Sequence, residues 1–356
     1  MRVLVTGGCG FIGSAAVRFL VGAGHHVLNL DKLTYAGDLR TVAAVAGSPN
    51  YRFRKMDILD QRGVAASFKD FAPQAVFHLA AESHVDRSID DPGIFVDTNL
   101  RGTFVMLHTA LNFWNQLNRE QQANFRFIQV STDEVYGSLG AEGFFTETTV
   151  YGPNSPYSAS KAGADHLARA WYTTYGLPTI ISNCSNNYGP FQNREKLIPT
   201  IIRKALSSQT IPIYGQGQNV RDWLYVDDHI AALLAICEKG KAGSSYNIGG
   251  YNEISNIDLA TAICALLDRR RPRSDGRRHA ERIQFVTDRP GHDYRYAIDA
   301  AKAKRDLGWQ PQESLQSGLS KTVDWYLDHL NWTMDVVSSE DRLGLGSLPK
   351  PLGEDR

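Results

Sequence analysis

Residues Ser131 to Gly137 read S-T-D-E-V-Y-G and set two carboxylates, Asp133 and Glu134, side by side directly after the apolar run F-R-F-I-Q-V. Repulsion and desolvation both count against such a pair at the end of a core strand. Two carboxyls whose pKa values are pushed apart, however, put a general acid and a general base in one place. A second pair follows in Y-S-A-S-K, Tyr157 to Lys161, behind the turn formers P-N-S-P. A spacing of four places both side chains on one helical face. A phenol is a poor base at neutral pH, with a reference pKa of about 10. The ammonium of Lys161 and a positively charged nicotinamide ring would both favour the phenolate. Tyr157 can then take a proton from an alcohol whose carbon gives up hydride. Adjacent acids alone decide nothing: Asp227-Asp228, followed by H-I-A-A-L-L-A-I, reads as a helix cap accepting backbone N–H groups.

The elements that must position these groups follow from the pattern. Strand-like segments V-L-V-T-G, H-V-L-N-L-D, Y-R-F-R-K-M-D, A-V-F-H-L-A-A, F-R-F-I-Q-V-S and P-T-I-I-S-N-C-S alternate with helical ones. That rhythm predicts an α/β protein with a Rossmann-type, doubly wound parallel sheet. After Gly189-Pro190 it changes, with helices expected near 195–206, 228–238, 255–268 and 313–330 and short strands I-P-I-Y, S-Y-N-I-G and I-Q-F-V between them. We expect a cofactor-binding domain over 1–190, to which later segments can return. A smaller, mixed α/β substrate-binding region follows over 191–336, and a loosely ordered tail over 337–356.

T-G-G-C-G-F-I-G spaces Gly7, Gly10 and Gly13 in a strand-to-helix turn, where backbone can approach a pyrophosphate at a helix N-terminus. The second strand ends at Asp31, about where an acid accepts hydrogen bonds from the adenosine ribose. A carboxylate there repels a 2′-phosphate, which favours NAD over NADP; Lys32 is its neighbour. Asp57 and Ile58 would then lie beside the adenine, and L-A-A-E-S, 79–83, would pass under the cofactor.

Lys plus Arg and Asp plus Glu both total 38, so no global field argues for nucleic acid or an anionic membrane as partner. A small-molecule ligand is the default. The four cysteines, Cys9, Cys184, Cys237 and Cys264, show no C-x-x-C pairing, which argues against a disulfide framework and a zinc site and fits a reducing cytoplasm. The ten histidines show no H-E-x-x-H spacing, so no metal is expected. No stretch has the length of a membrane span. The basic run 268–279 reads as a solvated surface loop. Cys9, inside the glycine turn, raises the expectation of a thiol sensitive to alkylation.

G-G-C-G-F-I-G, Y-S-A-S-K and S-N-N-Y-G-P together resemble the extended short-chain dehydrogenase/reductase superfamily, whose members act on nucleotide sugars. D-K-L-T-Y-A-G (31–37), A-A-E-S-H-V-D-R-S-I (80–89), S-T-D-E-V-Y-G, E-K-L-I-P (195–199), R-D-W-L-Y-V-D-D-H (221–229) and D-R-P-G-H-D (288–293) resemble, within it, the dTDP-glucose 4,6-dehydratases. The resemblance runs from the first strand to about Tyr326. It implies a lyase that oxidises C4 of the hexose with NAD, eliminates water across C5 and C6, and returns hydride to C6. Oxidation comes first because C5–H is acidic only beside a ketone. The resemblance assigns Asp133 as acid, Glu134 as base and Thr132 as hydrogen-bond partner of the C4 oxygen, beside Tyr157 and Lys161. It extends the cofactor set to Phe11, Ile12, Leu33, Thr34, Leu79, Ala80, Ala81, Ser83, Thr98 and Asn187. It also implies sugar-nucleotide contacts at Ser83, Thr132, Asn186, Lys196, Leu197, Arg221, Asn256 and Asp288 to His292, with Pro212 to Tyr214 as the base-binding strand. Arg221 and then Arg289 are the best diphosphate binders, because a guanidinium fork matches phosphate oxygens. A homodimer through helices near 93–118 and 155–175 is a further implication. A nucleotide-sugar 4-epimerase, or a non-catalytic NAD-binding protein, is the alternative. An epimerase has no need of acids around C5 and C6, and a non-catalytic protein need not keep Tyr157, Lys161 and both acids together.

Overall fold

The computed structural model describes residues 1–334. Its strands are β1 (Arg2–Thr6), β2 (His26–Asp31), β3 (Tyr51–Lys55), β4 (Ala75–His78), β5 (Arg126–Thr132), β6 (Thr179–Cys184), β7 (Asn186–Tyr188), β8 (Ile211–Tyr214), β9 (Val220–Tyr225), β10 (Ser245–Ile248), β11 (Glu253–Ser255) and β12 (Ile283–Val286). Seven form one sheet in the order β10-β6-β5-β4-β1-β2-β3, with every pairing parallel. β4 and β6 are buried along their whole length, as a sheet covered on both faces requires.

Alternate residues feed two cores. Val3, Val5, Phe77 and Ile128 pack with helices Phe11–Gly22 and Val226–Lys239. Leu4, Leu28, Val76 and Phe127 pack with helices Gln61–Phe71, Gly102–Trp114 and Pro156–Tyr175. Each fully buried side chain of this size contributes roughly 1.5–3 kcal/mol. Such a core can carry a few buried charges at its edge. A third core lies among Leu197–Leu206, Asn256–Arg270 and Leu315–Asp328. Beside it sit a β11-β9-β7 sheet and a β12-β8 pair.

Two later segments return to the large sheet. S-Y-N-I-G forms the edge strand β10, with Tyr246 and Ile248 sealed in the first core, and Val226–Lys239 covers that face. Residue 190 is therefore not a clean boundary between the two regions, and the tail over 337–356 lies outside the described residues. The reading of Asp227-Asp228 as a cap is corrected. Tyr225 is the N-cap and no side chain caps the helix. Both acids lie in its first turn, and Asp228 Oδ2 accepts the Glu313 N–H of another segment at 2.9 Å. The basic run begins inside helix Asn256–Arg270 and continues as an exposed loop.

Candidate active site

Chain order around the sheet reverses between β1 and β4, and the strand ends there open into a cleft of about 460 Å³. β5 delivers Thr132, and its Oγ1 accepts the Glu134 N–H at 3.3 Å, starting the short helix Asp133–Tyr136. That single turn swings both acids to the cleft. Opposite them, helix Pro156–Tyr175 starts from a reciprocal Ser155/Ser158 cap with proline at its first position. Tyr157, Lys161 and Asp165 follow at intervals of four.

Burial separates the two acids. Asp133 is 1% exposed, and its Oδ2 has no hydrogen-bond partner among the described residues. Burial pushes its carboxyl well above the usual range, the Glu134 and Asp222 charges push the same way, and Arg221 opposes them. Glu134 is only partly buried. Burial raises it too, but Arg289, Arg221 and Lys196 all favour its ionised form. The pair is thus a fully buried carboxyl beside a partly buried one whose charge three cations favour.

Tyr157 is 8% exposed, and burial, reinforced by the Glu134 charge, pushes its phenol up. The Lys161 ammonium donates to the Val130 carbonyl at 2.7 Å, and a hydrogen bond from Thr132 opposes the rise of the phenol. Burial lowers Lys161, and the Asp165 carboxylate favours its charged form. Asp165 in turn accepts the Ser131 hydroxyl at 2.6 Å and that of Tyr151 at 3.1 Å.

At the other end of the cleft, Gly7 has φ +69°, and a Cβ there would lie 2.8 Å from the Ala80 backbone. A Cβ on Gly13 would lie 2.1 Å from the Gly7 carbonyl oxygen. Gly10 caps helix Phe11–Gly22 without a side-chain acceptor, and the first turn holds no acid. Its first N–H groups suit a pyrophosphate. Asp31 Oδ2 accepts the Cys9 N–H at 2.8 Å and Oδ1 the Leu33 N–H at 2.7 Å, leaving lone pairs for ribose hydroxyls. Lys32 pairs with Asp57 at 2.6 Å. The residues present therefore fit a dinucleotide.

Of the cofactor and substrate residues singled out from sequence, those that do not line this cleft are Leu33, which packs against the first core and donates its N–H to Asp31, and Asp288, Pro290 and Gly291 of the 288–292 segment. Gly7, Gly10, Phe11, Ile12, Gly13, Asp31, Lys32, Thr34, Asp57, Ile58, Leu79, Ala80, Ala81, Ser83 and Thr98 line one end. Thr132, Asp133, Glu134, Tyr157, Lys161, Asn186, Asn187, Lys196 and Leu197 line the middle. Pro212, Tyr214, Arg221, Asn256, Arg289 and His292 complete the wall. Arg221 is 5% exposed, donates to the Val220, Tyr294 and Asp293 carbonyls, and stacks 4.3 Å from the Tyr296 ring centroid. Among the described residues no carboxylate lies within ion-pair distance of it. Asn186 and Asn256 each carry a buried side-chain oxygen without a partner.

Sequence reasoning missed Tyr296 and Asp86, which also line the cleft. Asp86 lies inside the quoted run 80–89, but nothing in its spacing marks it. Cys9 is fully buried, accepts from Asn29, and is pushed up to about 12 by burial and the Asp31 charge, so the expected reactive thiol is not formed. Among the described residues no cluster of side chains suits a metal ion, and no helix is long and apolar enough to cross a membrane.

The parallel sheet, the glycine turn and the Tyr157/Lys161 helix define an extended short-chain dehydrogenase/reductase. The sequence model described as GDP-mannose 4,6 dehydratase matches residues 4–322. A probable dTDP-glucose 4,6-dehydratase of Sinorhizobium fredii is 55% identical over 348 residues, 97% of this chain and 99% of that protein. The dTDP-glucose 4,6-dehydratase of Escherichia coli is 54% identical over 348 residues, 95% of this chain and 96% of its own. The crystal structure of the dTDP-glucose 4,6-dehydratase DesIV from Streptomyces venezuelae, with NAD and dTDP bound, superposes with a TM-score of 0.85 at 43% identity, covering 93% of this chain and 98% of that one. The chain belongs to the dTDP-glucose 4,6-dehydratase family.

Proposed function

We propose that this chain converts dTDP-glucose into dTDP-4-keto-6-deoxyglucose and water, with NAD held in the cleft. The observation that carries the reading is the acid pair: a protonated Asp133 and a cation-faced Glu134 in one cleft with Tyr157. Bound NAD would take hydride from C4 and return it to C6, and its positive ring would join Lys161 in favouring the phenolate of Tyr157. Tyr157 Oη takes the C4 hydroxyl proton, and Thr132 Oγ1 hydrogen-bonds the C4 oxygen as charge develops there. Glu134 removes the C5 proton, acidified by the C4 ketone. Asp133 gives its proton to the C6 hydroxyl, which leaves as water. Glu134 then returns its proton to C5; the proton taken by Tyr157 is released to solvent and one from solvent restores Asp133, which closes the cycle.

Asp31, the glycine turn and residues 79–83 hold the dinucleotide. Arg221 and Arg289 grip the diphosphate, Lys196, Asn186 and Asn256 hydrogen-bond the substrate, and Pro212 to Tyr214 with His292 receive the base. In this division the region up to 190 serves mainly the cofactor and the region after it mainly the substrate. An epimerase would share Tyr157 and Lys161 but has no work for Asp133. The buried, unpaired cysteines fit a reducing cytoplasm. Exposed Phe104 and Tyr175, at 41% and 51%, on helices Gly102–Trp114 and Pro156–Tyr175 support a homodimer through those faces.

The test is incubation of the purified chain with dTDP-glucose followed by alkali, reading the ultraviolet absorbance of the 4-keto-6-deoxy product. UDP-, CDP- and GDP-glucose are run in parallel. Absence of product with all four overturns the reading, and a preference for another nucleotide overturns the thymidine assignment.

A further inference from the structure

Asp86 has been given no role so far. It lies in the first turn of the short helix Val85–Asp90, which follows the carboxyl end of β4. Its carboxylate is shared between two residues of the smaller region: Oδ1 lies 3.3 Å from Nη1 of Arg289, and Oδ2 accepts the Tyr214 hydroxyl at 3.2 Å. The Asp86 and Arg289 side chains are 11% and 18% exposed. A second contact fixes the same guanidinium-bearing residue. The Arg289 backbone N–H donates to Asp288 Oδ1 at 2.9 Å, and that oxygen lies 2.6 Å from His292 Nδ1. The His292 ring meets Tyr214 edge-on at 6.1 Å. Arg289 Nε is buried and has no partner among the described residues. One edge of the fork is therefore committed to Asp86, while another donor waits for an acceptor.

We propose that Asp86 is a positioning residue for the nucleotide-diphosphate end of the substrate, holding the Arg289 fork and the Tyr214 phenol in one arrangement before the substrate arrives. The proposal deepens the reading above and rests on it for the roles of Arg289 and Tyr214. A long side chain loses rotamer freedom when it grips a phosphate, and a carboxylate that fixes it beforehand removes that loss from binding. The same anchor reaches the chemistry. Arg289 is the strongest cationic influence on Glu134, ahead of Arg221 and Lys196, with Asp133, Asp293, Tyr157 and Tyr296 as the other ionisable groups near that carboxyl. Releasing Arg289 weakens the hold on the ionised form of Glu134.

The experiment is steady-state kinetics on the full chain with NAD, combined with calorimetric binding of dTDP, for wild type, D86N, D86A, R289A and the D86A/R289A double variant. D86A should raise KM for dTDP-glucose and weaken dTDP binding about tenfold. Its kcat at the pH optimum should stay within about threefold, with the acid limb of the pH profile moved to higher pH. The double variant should lose less than the product of the two single losses, because Asp86 acts partly through Arg289 and partly through Tyr214. D86N keeps the side-chain shape and an oxygen for Tyr214, and should show a smaller KM rise in the same direction. It decides the matter if D86A does not fold. An unchanged KM in D86N, or losses that multiply in the double variant, overturns the proposal and leaves Asp86 a helix-start acid. If wild type bound dTDP without turning over dTDP-glucose, the dehydratase reading would fall while the dTDP arm still judged Asp86. If it bound no dTDP, both would fall.

Discussion

Two of the chain's adjacent acid pairs, Asp133-Glu134 and Asp227-Asp228, stand next to the end of a strand, and the fold treats them in opposite ways. Asp228 is buried but satisfied, accepting the Glu313 N–H at 2.9 Å, while its own carbonyl accepts the Trp309 indole N–H at 3.1 Å. Asp227 is exposed, and Arg18 and Lys321 favour its charged form. This pair ties one helix start to a distant segment. Asp133 is as buried, yet one of its oxygens has no donor, and its neighbour Glu134 faces three cations across a cleft. An unsatisfied buried carboxyl costs stability and is tolerated where its proton has a use. The comparison teaches that adjacent acids acquire a role from what surrounds them.

The sharpest way to break this contrast is E134Q. It should lower turnover of dTDP-glucose by about 10²–10⁴, measured as alkali-developed product, with folding intact. Glu134 must be ionised to act, and burial raises its pKa. The acid limb of wild-type activity should therefore lie above the ordinary glutamate value of about 4.3, activity being lost as pH falls through it. D133N comes next, with a loss of about 10²–10³ in kcat. It should also melt higher than wild type at neutral pH. The native state holds a proton on Asp133 that the unfolded chain releases, so stability falls as pH rises from the ordinary aspartate value through the raised one. Asparagine removes that dependence, and the gain in Tm should shrink toward pH 4. A D133N variant that melts lower at pH 7 would show the carboxyl to be a structural ion instead.

D228A should do the reverse. It should leave kcat unchanged and destabilise by about 1–2 kcal/mol, because the Glu313 N–H loses its acceptor. D227N should change stability by less than about 0.5 kcal/mol, since an exposed charge is screened. Thermal melts with activity per folded molecule check both.

Much of this site was legible because its motifs are local. The glycine turn, the Ser155-Pro156 helix start and the strand ending at Thr132 are each specified within a few residues, where spacing and capping chemistry act. The misreadings came from contacts between distant segments. Asp228 was read as a cap because Glu313 could not be foreseen beside it. Cys9 was read as reactive because its complete burial comes from packing in the first core. The return of Ser245–Ile248 to the large sheet, which the pattern allowed for, is driven by burial of Tyr246 and Ile248.

Residue order alone was enough for the alternating strands and helices and the dinucleotide turn, because periodicity and capping are properties of neighbours along the chain, and the family resemblance brought the candidate reacting side chains forward with them. How deeply each acid is buried, which cations face Glu134, and that Asp86 reaches Arg289 were decided only in the folded chain. Ionisation depends on burial and on charges brought close through space, and those are set by packing between segments far apart in sequence.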